Sequence, residues 1–138
     1  MIKEIRAYIR TQIANVDSDL KENNSAFYDG DIGETIISDS YQIVLNNISN
    51  ELRTEYREDD IDCIVSIFGF GYRDEITHYD ELLDKAICIR DNIININNFS
   101  GNGMITNIES NGITATQLSG DDNGFKIDIN LTIRQTYL

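Results

Sequence analysis

Apolar residues recur at spacings of three and four at the start of the chain: Ile2, Ile5, Ile9, Ile13 and Val16. That spacing predicts one apolar face of a helix, with Lys3, Glu4, Arg6, Arg10 and Gln12 on the other face. The polar stretch from Asn15 to Ser25 then ends the helix in a loop. Residues 26–40 carry no steady period. Phe27 and Tyr28 suit the start of a short strand, and Asp29-Gly30-Asp31-Ile32-Gly33 is turn chemistry, so an exposed excursion or a long hairpin is expected there. Tyr41, Ile43 and Leu45 alternate with Gln42 and Asn46 as in a strand. Residues 49–60 are highly charged and fit either a helix or a strand. Ile61 to Phe70 is a nearly continuous apolar run with β-branched residues, as expected of a central strand covered on both faces.

Helical spacing returns at Ile76, Tyr79, Leu83, Ala86, Ile87 and Ile94, with Asp74 or Thr77 able to cap the start. The Asn-rich stretch 95–98 and the glycines at 101 and 103 end this longest helix. The final third reads as a β-meander. Residues 104–109 and 113–118 flank Asn111-Gly112, a strong hairpin signal, and a second turn is expected at 119–124. Phe125, Ile127, Ile129, Leu131, Ile133, Gln135 and Tyr137 then alternate with Lys126, Asp128, Asn130, Thr132, Arg134 and Thr136, giving one long strand with an apolar and a polar face. The fold class that follows is α+β: a mixed, mostly antiparallel β-sheet with two amphipathic helices packed on one face. The opposite face, polar along the last strand, looks toward solvent or a partner. No internal repeat is present.

The chain has 138 residues, which suits one domain over 1–138 with an enclosed core. It carries 11 Lys and Arg against 24 Asp and Glu, a net charge of −13. A balance this acidic disfavours binding to nucleic-acid phosphates and adsorption to anionic membranes. It first of all keeps a protein soluble. The run at 61–70, interrupted by Asp62 and Ser66, is far too short to span a bilayer, and Met-Ile-Lys-Glu does not read as a signal peptide. Cys63 and Cys88 both lie among apolar neighbours and are expected to be buried, reduced thiols.

Candidate chemistry is sparse. The single histidine, His78, sits near a helix start among Thr77, Tyr79 and Asp80, where a surface or capping role is expected. Nucleophilic catalysis would need it beside an activated Ser or Cys. Acidic residues cluster at Glu58, Asp59, Asp60 and Asp62, at Asp29 and Asp31, and at Asp121 and Asp122. None follows the spacing of a helix–loop–helix calcium site, and one His with two separated Cys does not make a zinc site. Gly69-Phe70-Gly71 superficially suggests a phosphate-cradling loop. Asp74 occupies the place of the third glycine and would repel phosphate, so a strand end and turn is the better reading. No catalytic residue, cofactor site or metal site is assigned. A small enzyme built around His78 or an acidic cluster is the weakest alternative.

The order of elements carries a resemblance. A short amphipathic helix leads into a polar excursion and a strand. The apolar strand Asp62-Cys63-Ile64-Val65-Ser66-Ile67-Phe68-Gly69-Phe70-Gly71 follows, then the long helix, and a meander closes with Phe125-Lys126-Ile127-Asp128-Ile129-Asn130-Leu131-Thr132-Ile133-Arg134. In size and order this resembles the tail terminator and tail-completion proteins of long-tailed bacteriophages, without a diagnostic motif. The resemblance implies a ring of identical subunits, a hexamer, that caps the tail tube in the virion. Such a ring stops tube polymerisation and offers the surface onto which the filled head docks. Its implied partners are further copies of itself, the tail tube protein, and a neck or head-completion protein. DNA crosses the lumen without specific binding, and the family has no catalytic residues to carry over. On this reading subunit or partner contacts are expected at Phe27, Tyr28, Asp29, Asp31, Arg53, Tyr56, Arg57 and Arg134, and acidic lumen positions at Glu55, Glu58, Asp59 and Asp60. A head–tail neck connector and a non-viral intracellular protein-binding adaptor are the alternatives.

Overall fold

A computed structural model describes residues 2–23, 39–52, 57–70, 76–101, 104–117 and 124–137. The elements run α1 (Ile2–Val16), β1 (Lys21–Glu22), β2 (Ser40–Leu52), β3 (Arg57–Phe70), α2 (Ile76–Ile94), α3 (Ile96–Phe99), β4 (Ile105–Gln117) and β5 (Gly124–Tyr137). The sheet order is β1-β2-β3-β5-β4. The four long strands pair antiparallel, and only the two-residue β1 joins β2 in parallel. The fold is therefore α+β, as the periodicity predicts. Two elements escape that reading, β1 and the one-turn α3, because each is too short to show a period.

One face of the sheet forms the core. Ile43 on β2, Ile61, Cys63, Val65 and Ile67 on β3, and Phe125, Ile127, Ile129, Leu131 and Ile133 on β5 all point to it and are buried. Ile5, Tyr8, Ile9 and Ile13 of α1 and Leu82, Ala86, Ile89 and Ile93 of α2 close over them, joined by Phe99 of α3. Each fully buried Ile or Leu contributes roughly 1.5–3 kcal/mol relative to exposure. Specific ties then set the helices on the sheet. The Tyr8 hydroxyl donates to the Ile93 carbonyl at 2.6 Å, and Arg6 donates to the Ile43 carbonyl at 2.6 Å, capping an edge group of β2. Lys85 of α2 meets Asp17, just past α1, at 2.7 Å.

Several sequence expectations are corrected. Asn111-Gly112 is not a hairpin turn: β4 runs through it as one strand, with a register shift between Ser110 and Ile113 against β5. One extra residue on β4 is accommodated there as a bulge, and Gly112 takes a φ of 109°. The same positive-φ preference that favours Asn-Gly in hairpin turns serves a bulge equally well. The buried stripe of α2 is Leu82, Ala86, Ile89 and Ile93, whereas Ile76 is 69% exposed and Leu83 and Ile87 are only half-buried. Gln12 was expected on the polar side of α1 but is buried. Cys88 is exposed, so only Cys63 is a core thiol, and both are free. The charged stretch 49–60 is strand wherever it is described, at 49–52 and 57–60. The β3 strand is buried on its second face only at Ser66 and Phe68, with Asp62 and Ile64 half-buried.

Candidate functional site: the polar face of the sheet

Strand alternation puts a second set of side chains on the face away from the helices. From β3 these are Glu58, Asp60, Asp62, Ile64, Ser66 and Phe68, and from β5 Lys126, Asp128, Asn130, Thr132, Arg134 and Thr136. β2 adds Val44, Asn47 and Ser49, and β4 adds Asn107, Glu109, Thr114 and Thr116.

These side chains are ordered by one another. A belt crosses four strands: Asn47 donates to Asp62 at 3.2 Å, the Thr132 hydroxyl donates to Asp62 at 3.4 Å, and Asn111 donates to that hydroxyl at 2.7 Å. Each group uses a role it has available, since a hydroxyl both donates and accepts while a carboxylate only accepts. Asn130 reaches the Gly112 carbonyl at 3.3 Å, so the β4 bulge is held by side chains of β5. Along the same face Arg134 forks onto Asp60, with Nε at 2.9 Å from one oxygen and Nη2 at 3.4 Å from the other. Ser66 donates to Asp128 at 2.6 Å, and the Lys126 ammonium lies 3.2 Å from the same carboxylate. The Ser66 hydroxyl thus donates to a carboxylate that also meets a cation, which ties β3 to β5 at this point of the face.

The positions singled out in the sequence separate here. Phe27, Tyr28, Asp29, Asp31, Arg53, Glu55 and Tyr56 lie outside the described residues. Arg57 begins β3 and approaches Asp59 at 3.5 Å. Asp59 is buried on the helix side of the sheet, while Glu58 and Asp60 project from the polar face. The run 58–60 is contiguous in sequence, and period two divides it between faces. Arg134 lies on the polar face, paired with Asp60. Sequence reading identifies the polar face of β5 but misses the partners on β2, β3 and β4, because cross-strand neighbours are set by register.

Among the described side chains of this face, the carboxylates Glu58, Asp60, Asp62, Glu109 and Asp128 stand against the cations Lys126 and Arg134, so the surface is net acidic. His78 lies elsewhere, its Nε2 3.1 Å from Asp39 Oδ1 and its ring edge-on to Phe125, tying the start of α2 to the sheet. No group of three or more His, Cys, Asp or Glu among the described residues is placed to hold a metal ion. No described helix is long and apolar enough to cross a membrane.

No protein-family model matches the chain, and no curated protein matches it. Among solved structures, a chain in the virion of a native gene transfer agent (GTA) particle has a similar fold, with a TM-score of 0.57 over 94% of this chain and 92% of that one, at 8% identity.

Proposed function

We propose that this protein is a structural subunit of a phage-like virion, and that within the particle it forms a ring, a hexamer, capping the head-proximal end of the tail tube. The observation that carries the reading is the correspondence of fold over nearly the full length of both chains with a component of a virion. The element order and its resemblance to tail terminators supply the place in the particle. In this role the ring stops tube growth, presents a surface to a neck or head-completion protein, and lets DNA pass.

The acidic polar face fits that passage. Phosphates moving along a wall of carboxylates meet like charge, and the interaction strengthens where the channel excludes solvent. Glu58, Asp60 and Asp62 are the wall residues on this reading, with Asp60 held in place by Arg134. The hydrogen-bonded belt holds Asp62 in place in the same way, through Asn47 and Thr132. The activity is one of assembly, with no cofactor and no bond made or broken.

Negative-stain imaging and native mass spectrometry of the purified protein, alone and with tail tube protein, test the reading. Rings in the first sample and capped tubes of limited length in the second are expected. A stable monomer at high concentration that leaves tube length unchanged would overturn it. Rings that ignore tube ends but join a head-side connector would reassign the protein to the neck.

A further inference from the structure

The sheet has two free edges among the described residues. On one side β1 covers β2 only at Ser40 and Tyr41, and Arg6 caps the Ile43 carbonyl. Beyond that point Asn46, Asn47, Ile48 and Ser49 are exposed on both faces of the strand. On the other side β4 has no described strand outside it, and Thr114 to Gln117 are likewise exposed on both faces. Open edges of this kind present unpaired backbone donors and acceptors and are templates for another strand.

Three observations point to the occupant. First, β2, β3, β5 and β4 alternate strictly in direction, and they are an even number. The β4 of one copy set beside the β2 of the next therefore continues an antiparallel ladder, with no strand reversed. Second, residues 46–50 and 114–117 carry no charge, with Glu51 the one acidic residue in 46–52, and Ile48 is an apolar side chain left 56% exposed, so neither stretch has the row of edge charges that usually protects monomers. Third, the free half of β2 lies level with the start of β3, whereas the free half of β4 lies level with its end. Pairing them staggers each copy against the next, and a sheet closes on itself only when its strands are staggered and tilted.

We infer that the contact between neighbouring copies is strand pairing of Thr114–Gln117 in β4 with residues 46–52 of β2 in a second copy. The contact is heterologous, so it repeats from copy to copy and makes a ring when the rotation between copies closes. It joins the polar faces of successive sheets into one continuous surface. The inference rests on the ring reading above and adds to it which edges meet.

Ser49 and Thr116 both project from the polar face, as does Thr114. Cysteines placed at position 49 together with position 114 or 116, in a Cys88→Ser background, should form intermolecular disulfides under mild oxidation. The expected result is a ladder of covalent multimers on a non-reducing gel, with peptides linking position 49 to 114 or 116 identified by mass spectrometry. Ser49→Cys paired with Asp84→Cys on α2 is the control and should give no linked 49–84 peptide. A ring visible in images but lacking any 49–114 or 49–116 link overturns the strand pairing and leaves the ring intact. Equal linking in the control pair also overturns it. Absence of any ring, with monomers in native mass spectra, removes the ring reading itself.

Discussion

At the scale of single residues, burial separates groups of identical chemistry. Cys63 is buried beneath the helices and its thiol is pushed up to about 12 by desolvation, whereas Cys88 is exposed on α2. A thiol reagent should label one cysteine per native chain and two after denaturation. Two rapid reactions in the native state would contradict this packing. Gly69 shows the core from the other side. A Cβ built there would lie 2.4 Å from Phe125 Cζ and 2.5 Å from Leu82 Cδ1. Gly69→Ala should cost about 1–3 kcal/mol by overpacking, seen as a lower urea midpoint. Asp17 gives a pH signature. The hydrogen bond from Lys85 holds its carboxyl below the usual carboxylate range, with Asp19's backbone N–H adding to the effect. Because the folded-state value is depressed, the pair stabilises the fold above about pH 4 and that contribution fades as acid protonates the folded carboxyl. Both partners are partly solvated, so Lys85→Met should cost under about 1 kcal/mol at neutral pH and flatten the acid limb of the stability curve. An unchanged acid limb would show that the pair contributes nothing.

At the scale of elements, periodicity identifies a helix or strand more securely than it identifies the buried face. Apolar residues cover a broad arc of α2, so a stripe through Ile76, Tyr79, Leu83, Ala86, Ile87 and Ile94 reads as well on paper as one through Leu82, Ala86, Ile89 and Ile93. Packing against α1 and the sheet buries the second set fully, leaves Tyr79, Leu83 and Ile94 at the margin of the core and Ile76 exposed. Leu82→Ala should accordingly cost about 2–5 kcal/mol, and Ile76→Ala no more than about 0.5 kcal/mol, in paired denaturation curves. The β4 bulge makes a similar point. Asn-Gly announces a positive-φ residue, and whether the chain turns back or continues depends on the partner strand. Continuous pairing with β5 on both sides of Gly112 decides for a bulge. A Cβ at Gly112 would meet no atom within 4 Å, so the cost of Gly112→Ala comes from the backbone alone. At a φ of 109° that cost should be roughly 1–2 kcal/mol, without loss of the sheet signal in far-ultraviolet circular dichroism.

At the scale of the whole molecule, charge and topology act together. A net charge of −13 on 138 residues strains the compact state through self-repulsion, which salt screens. The melting temperature should therefore rise between low and moderate ionic strength, and assembly should be favoured in the same direction. A falling melting temperature would mean that the internal ion pairs, such as Arg134 with Asp60, outweigh the net repulsion. The acidic residues on the polar face are partly neutralised in pairs and by hydrogen bonds. The surface is consequently patterned, with charge paired at Arg134–Asp60 and Lys126–Asp128.

The amino-acid order by itself determined the α+β class, both main helices, the central strand and the two-faced last strand, because these depend on local period and burial preference. It also determined the acidic balance and the lack of a recognised catalytic spacing. Only the tertiary structure decided which face of α2 is buried, that Asn111-Gly112 lies within a strand, and that Cys88 is exposed. It alone brought Asn47, Asp62, Thr132 and Asn111 into one belt and split Asp59 from Glu58 and Asp60. Those outcomes depend on strand register and on contacts between distant segments. A period of two or 3.6 says that a face exists, but a face acquires its meaning from what is packed against it.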